Sequence, residues 1–206
     1  MQEVSVIIPN FNGMAYLDGV LAGLECQSVN NFEVILVDNG SSDGSCAFVA
    51  ARYPWVHLIE LPENFGFCKA VNEGIRASRS PYVLLLNNDI EVTENFIEEM
   101  LSAIKRHPKA FSCAARMIQF HDRDRLDDAG NYYCALGWAY ARGKGKDIHT
   151  YEKEEKIFAS CAGAAIYRKK IFDELGYFDE EHFAYLEDMD VGYRARIYGY
   201  ENWYAP

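Results

Sequence analysis

Apolar residues come in short unbroken runs along the first half of the chain, and polar, glycine-rich stretches separate them. VSVIIP (4–9), EVILV (33–37), VHLIEL (56–61) and YVLLL (82–86) read as strands. The last, five apolar residues without a break, predicts a strand buried on both faces, as in a parallel sheet covered by helices. Between these runs the apolar spacing changes to a helical one. Leu17, Val20, Leu21 and Leu24 mark a helix over Met14–Cys26. Further helices are expected over Ser45–Arg52, Phe67–Ala77 and Glu94–Arg106, the last with Thr93 as N-cap. Glu94 in its first turn and Lys105 and Arg106 in its last suit the helix dipole.

The alternation of strand and helix predicts an α/β fold, with a mostly parallel sheet and helices on both faces. Loops that follow parallel strands gather at one sheet edge, and ligands of open α/β sheets bind there. That edge should bring together Asn10, which follows Pro9 at the end of the first strand, Asp38 and Asp89.

The second half is less regular. Ala110–Ile118 reads as a strand, His121–Lys146 as a long loop or small excursion, and Ile157–Tyr167 as one strand of small residues. Lys169–Leu175 is a short helix stopped at Gly176, and Phe178–Glu181 a turn. A last helix should open at Glu187 and run to about Tyr198, with Gly199 as its C′ residue. Trp203–Ala205 starts another strand.

Length and composition narrow the picture. A chain of 206 residues, half of them hydrophobic, suits one domain over 1–206. A formal net charge of −11 argues against non-specific nucleic-acid binding, which needs a basic face. The six cysteines show no C-x-x-C spacing and sit in apolar segments, so a reducing cytoplasm is expected. No apolar run approaches the ~20 residues of a membrane span, which leaves peripheral association open.

Candidate chemistry sits at the strand ends. The abrupt step from Leu86 to Asn87-Asn88-Asp89 puts a carboxylate at the rim. Asp89 either holds a magnesium or manganese ion, which favours oxygen donors, or caps the following turn. Asp38 either accepts a bond from a base or ribose, or closes an Asx turn in the loop to Gly44. Glu187, Asp188 and Asp190 are dipole partners of the last helix, unless one is a proton acceptor for a hydroxyl nucleophile. Asp190 also stands four residues before Arg194, a structural spacing. Neither G-x-G-x-x-G nor G-x-x-x-x-G-K-[ST] occurs, which argues against dinucleotide dehydrogenases and P-loop NTPases.

Taken together, VSVIIPNFNG, VILVDNGSSDGS, ENFGFCKAVNEGIRAS, LLLNNDIEV and CAGAAIYRKKIFDELGYFDEEHFAYLEDMDVGYRARIYGY resemble family 2 glycosyltransferases of the GT-A fold. Several pieces look most like the subgroup that adds rhamnose or related sugars to bacterial surface polysaccharides. The resemblance implies inverting transfer from a nucleoside diphosphate sugar, dTDP- or UDP-linked, to a saccharide or lipid-linked saccharide hydroxyl. It places Pro9, Asn10, Asn12 and Asp38 around base and ribose, with Asn64, Gly66 and Asn72 shaping the wall beside them. Lys69 becomes a phosphate or base contact, and Asn88 approaches ribose or sugar. Asp89 takes the metal and diphosphate, while Gly163 and Ala164 let backbone lie close to the donor sugar. Asp188 becomes the base and Glu187 an acceptor or orienting contact. Alternatives are a non-catalytic nucleotide-sugar binder, a nucleotidyltransferase and an interaction module. Two departures stand out. Asn87-Asn88-Asp89 has one carboxylate fewer than the family's D-x-D. The chain also ends at Pro206, where a strand bearing a histidine ligand is expected, so a chain cut short at its C-terminus is anticipated.

Overall fold

Each of the four apolar runs forms a strand. In the computed structural model, which describes residues 2–206, these are β1 (Val4–Asn10), β2 (Phe32–Asp38), β3 (His57–Glu60) and β4 (Tyr82–Leu86). Helices α1 (Met14–Glu25), α2 (Ser45–Arg52) and α3 (Phe67–Ala77) connect them, and α4 (Phe96–Arg106) follows β4. Next come β5 (Ala110–Ala115), β6 (Met117–Ile118), β7 (Leu126–Asp128), β8 (Asn131–Tyr133), β9 (Ala139–Ala141), β10 (Glu155–Ile157) and β11 (Ala164–Arg168). The chain closes with α5 (Lys169–Leu175), a 3-10 turn (Glu180–His182), α6 (Glu187–Ile197) and β12 (Glu201–Ala205).

The main sheet has eight strands in the order β10-β12-β5-β11-β4-β1-β2-β3. Pairings among β4, β1, β2 and β3 are parallel, as is β5 with β12, whereas β11 runs antiparallel to both β4 and β5. Both faces of the central strands are covered, so these carry no polar face, whereas the edge strand β3 leaves His57 and Glu60 exposed. Val6, Ile8, Leu36, Leu84 and Leu86 pack towards α1 and α4, and Ile7, Val83 and Leu85 towards α3, α5 and α6.

Four expectations are corrected. The first strand runs through Pro9 to Asn10. Its pairing with β4 stops at Ile7, and Asn10 turns its carbonyl towards the β2 side, to the Asn39 N–H at 2.7 Å. Pro9 therefore lacks its N–H on the side where no ladder bond is made. Helix α4 begins at Phe96 and not Glu94, without a Thr93 side-chain cap. The cap comes from afar: Gln27 accepts the Ile97 N–H at 2.9 Å while donating to the Thr93 carbonyl at 2.8 Å. The single strand expected over Ile157–Tyr167 is two, β10 and β11, separated by a turn whose Ala159 bridges to Asn131. Ala110–Ile118 breaks at Arg116 into β5 and the short β6.

The excursion folds as two small sheets, β6 with β7 and β8 with β9. Helix α6 ends as its sequence indicates. Gly199 has φ +86°, its N–H bonds the Arg196 carbonyl at 3.0 Å, and the Tyr200 N–H reaches the Ala195 carbonyl at 2.9 Å. This is a Schellman closure.

Candidate active site

The carboxyl ends of β1, β2 and β4 lie side by side, and their side chains bond across the strands. Asn10 Nδ2 donates to Asp38 Oδ1 at 2.8 Å, and Asn88 Nδ2 donates to Asn10 Oδ1 at 2.7 Å. The other Asp38 oxygen accepts the Ser41 N–H at 2.8 Å, which is the Asx turn anticipated for that loop. Asn12, in the left-handed region at φ +50°, ties the same loops together. Its N–H bonds Ser41 Oγ at 2.8 Å and its Oδ1 accepts the Ser42 N–H at 2.9 Å. Gly13 lies beneath the Asn10–Asn88 pair, and a Cβ there would collide with both amides.

The third loop joins in the same way. Asn39 Nδ2 donates to Asn64 Oδ1 and to the Gly66 carbonyl, both at 2.9 Å. Gly66, at φ +89°, presses against Phe183, with an added Cβ 2.6 Å from its carbonyl oxygen. Asp38, Asn10, Asn88 and Asn64 thus belong to one hydrogen-bonded rim, although Asp38 itself is buried.

The rim continues across β11. The Asn87 N–H bonds the Gly163 carbonyl at 2.8 Å, bringing Gly163 and Ala164 beside the end of β4. One residue earlier, the Ala162 N–H supports the carboxylate of Asp188. Asp188 stands in the first turn of α6 and is half-buried. Its Oδ1 accepts the Met189 N–H at 2.7 Å and its Oδ2 the Asn131 amide at 3.1 Å. Burial raises the Asp188 pKa above the ordinary aspartate value, against these donors. Helix α6 comes this close because residue 192 is glycine: a Cβ there would lie 2.5 Å from that of Ala159.

Glu187 faces inward. It is buried, one carboxylate oxygen has no partner, and burial together with the Asp188 charge raises its pKa to about 6. The preceding segment is twisted, with Phe183, Tyr185 and Leu186 all at positive φ. Strain of this kind, about 1–3 kcal/mol per residue, is concentrated at functional loops.

Asp89 is exposed at the end of β4, next to Asn88. Among the described residues no group of three His, Cys, Asp or Glu side chains gathers to hold a metal. A single open carboxylate fits a hard cation that completes its shell from diphosphate oxygens and water.

Two expected contacts are engaged elsewhere. Lys69 pairs with Glu73 at 3.0 Å and Glu180 at 3.5 Å. Asn72 is fully buried, donating to the Phe178 carbonyl at 2.8 Å and accepting its N–H at 3.1 Å. It braces α3 against the turn that precedes α6, and reaches the cleft only through that turn. Asp190 holds Arg194 at 2.6 Å, the structural pair its spacing indicates.

Sequence reasoning missed Asp128 and Asn131. Asp128 is buried on the end of β7, and burial raises its pKa to about 6, with Asp188 adding to the rise. The signal available was the Gly130-Asn131 turn dipeptide inside the excursion. Two hollows, of 260 Å³ beside Lys156 and Arg196 and of 480 Å³ beneath α4, lie away from the rim.

A rim of parallel strand ends, polar loops and a helix-borne acid defines the class: a GT-A type nucleotide-sugar transferase domain. Residues 5–176 match glycosyl transferase family 2, and the chain belongs to that family. It is 26% identical to an N-acetylglucosaminyl-diphospho-decaprenol L-rhamnosyltransferase of Mycobacterium tuberculosis, over 98% of this chain and 73% of that protein. It is also 26% identical to the amylovoran biosynthesis glycosyltransferase AmsE of Erwinia amylovora, over 97% of this chain and 71% of that one. Solved structures share the fold. The mannosyltransferase PcManGT of Pyrobaculum calidifontis, in complex with GDP-Man and Mn2+, superposes with a TM-score of 0.73 at 17% identity, over 99% of this chain and 54% of that one. TarS of S. aureus in complex with UDP-GlcNAc gives 0.71 at 20% identity, over 99% and 58%. This chain thus spans little more than half of those structures. Among the described residues no helix is long and apolar enough to cross a membrane.

Proposed function

We propose that this domain transfers a sugar from a nucleoside diphosphate donor to an acceptor hydroxyl by a single inverting displacement, in the synthesis of a surface polysaccharide. The observation that carries the reading is the rim in which hydrogen bonds join Asp38, Asn10 and Asn88, and backbone bonds of Asn87 to Gly163 and of Ala162 to Asp188 extend it to the acid. Asp38, Asn10, Asn12 and Asn64 bound the base and ribose side. Asn88 approaches the sugar, with Gly163 and Ala164 as the low floor next to it. Asp188 removes the acceptor proton as the hydroxyl attacks the anomeric carbon. Its raised pKa makes it a stronger base than a solvated aspartate. Buried Glu187 holds the Phe183–Leu186 segment and the first turn of α6 behind it. A magnesium or manganese ion on Asp89, when bound, supplies positive charge to the departing diphosphate.

UDP-GlcNAc and GDP-Man in the fold neighbours support a nucleoside diphosphate sugar donor, and a lipid-linked saccharide acceptor suits the rhamnosyltransferase likeness. Thermal-shift titration with UDP, dTDP and GDP, each with and without Mn2+, tests the donor site. A melting point that rises for one nucleotide, further with Mn2+, is expected. No shift with any of them would defeat the reading.

A further inference from the structure

Besides the Ala162 N–H, one side chain outside its own helix donates to Asp188. Asn131, at the start of β8, donates to its Oδ2 at 3.1 Å. We propose that Asn131 is a positioning residue for Asp188, presented by a turn that Asp128 folds. The proposal rests on the reading of Asp188 as the base.

The turn leaves Asn131 little freedom. Asp128 Oδ1 accepts the Gly130 N–H at 2.6 Å. The Gly130 carbonyl takes the Arg142 N–H at 2.8 Å, and Arg142 Nε returns to the Ala129 carbonyl at 2.7 Å. Arg142 is buried, with its guanidinium 4.4 Å from the Tyr151 ring centroid and 4.7 Å from that of Tyr204. Tyr204 belongs to β12, so the turn is fastened to the main sheet. On its other side, the Asn131 N–H bonds the Ala159 carbonyl at 2.9 Å and its carbonyl takes the Phe158 N–H at 3.0 Å. A backbone held at both ends fixes where the amide can reach.

The groups around Asp188 make that amide matter. Asp128 faces it from the turn, Glu187 from its own helix, Cys161 from the loop before β11 and Tyr167 from β11. The charge of Asp188 raises the pKa of each of them, and what disfavours that charge is the burial of Asp188 itself. Asn131 opposes that burial, alongside the Met189 and Ala162 N–H groups, by donating to the ionised form, and a donor to a carboxylate also fixes its rotation. The excursion thus reaches back to orient the acid on α6.

Carboxyl-carbon NMR titration of the full chain tests this without a known acceptor. Asp188 is assigned by its loss in Asp188→Asn. In Asn131→Ala its midpoint should rise by roughly one pH unit, the equivalent of one charge-assisted bond. Asn131→Asp, of the same shape, should raise it further, and serves where the alanine variant folds poorly. A midpoint that stays put in a folded variant overturns the proposal. The two failures are distinct. An unmoved midpoint with an inactive Asp188→Asn removes only the positioning role. An Asp188→Asn enzyme that turns over at the parent rate removes the base, and this proposal with it.

Discussion

Asn88 reaches across from the end of β4 to Asn10 at the end of β1, amide to amide at 2.7 Å. The two residues are far apart in sequence, and their meeting is what makes separate strand ends into one surface. It depends on Gly13, where any side chain would occupy the space of both amides. Gly13→Ala should therefore separate them. We expect a stability loss of about 1–3 kcal/mol, as for overpacking elsewhere. Nucleotide-induced stabilisation should fall more than stability itself. Paired melting curves with and without the preferred nucleotide measure both.

Asp38 connects the same surface from the other side. Removing its carboxylate leaves Asn10 Nδ2 with only Ser41 Oγ at 3.3 Å and takes the partner of the Ser41 N–H. An unsatisfied buried donor costs about 1–3 kcal/mol. Asp38→Ala should be destabilised by that order and should lose affinity for every nucleotide alike. Selective loss for one base would instead assign Asp38 a direct base contact.

Asp188→Asn keeps the shape of the side chain and removes its basicity. Loss of a general base costs about 10²–10⁴ in rate. Turnover should drop by that factor with nucleotide affinity nearly unchanged, as read by calorimetric titration. Parent-like turnover would assign the proton transfer to another group.

The strands were legible because burial on both faces leaves an unmistakable apolar run: Val83–Leu86 could be little else. The site carboxylates were legible because polar residues follow those runs without transition. What was hidden depended on partners distant in sequence. Gln27 caps α4 from the end of α1, so Thr93 misled. Asn72 and Lys69 lie in a helix that borders the cleft, but Phe178 and Glu180 claim them, and neither pairing has a local signature. Asn131 sat in a stretch without period, and its importance comes only from where the β8–Ala159 bridge puts it.

Asp89→Ala addresses the metal. If Asp89 carries the cation, the extra stabilisation that Mn2+ adds to a nucleoside diphosphate should disappear, while metal-free nucleotide binding persists. The measurement is the nucleotide dissociation constant with Mn2+ and with a chelator. An unchanged ratio between the two would remove Asp89 from the metal's shell.

Glu187 provides a test of the buried acid pair by pH. Its folded pKa is about 6, above the ordinary 4.5, so between those values the folded state binds more protons than the unfolded. Stability from this group is then greatest in acid and is lost as pH rises through that window. A shift of that size corresponds to about 2 kcal/mol. Asp128, also raised to about 6, adds a slope of the same sign. Glu154 and Glu201, whose pKa values are lowered by Arg106 and Lys156, act oppositely and lower on the scale. The clean quantity is therefore a difference between variants. Glu187→Gln minus parent should be near zero or negative at pH 4 and rise to about +2 kcal/mol at pH 7, by urea unfolding. A difference that does not vary with pH would mean that Glu187 is no harder to ionise in the folded chain than in the unfolded one.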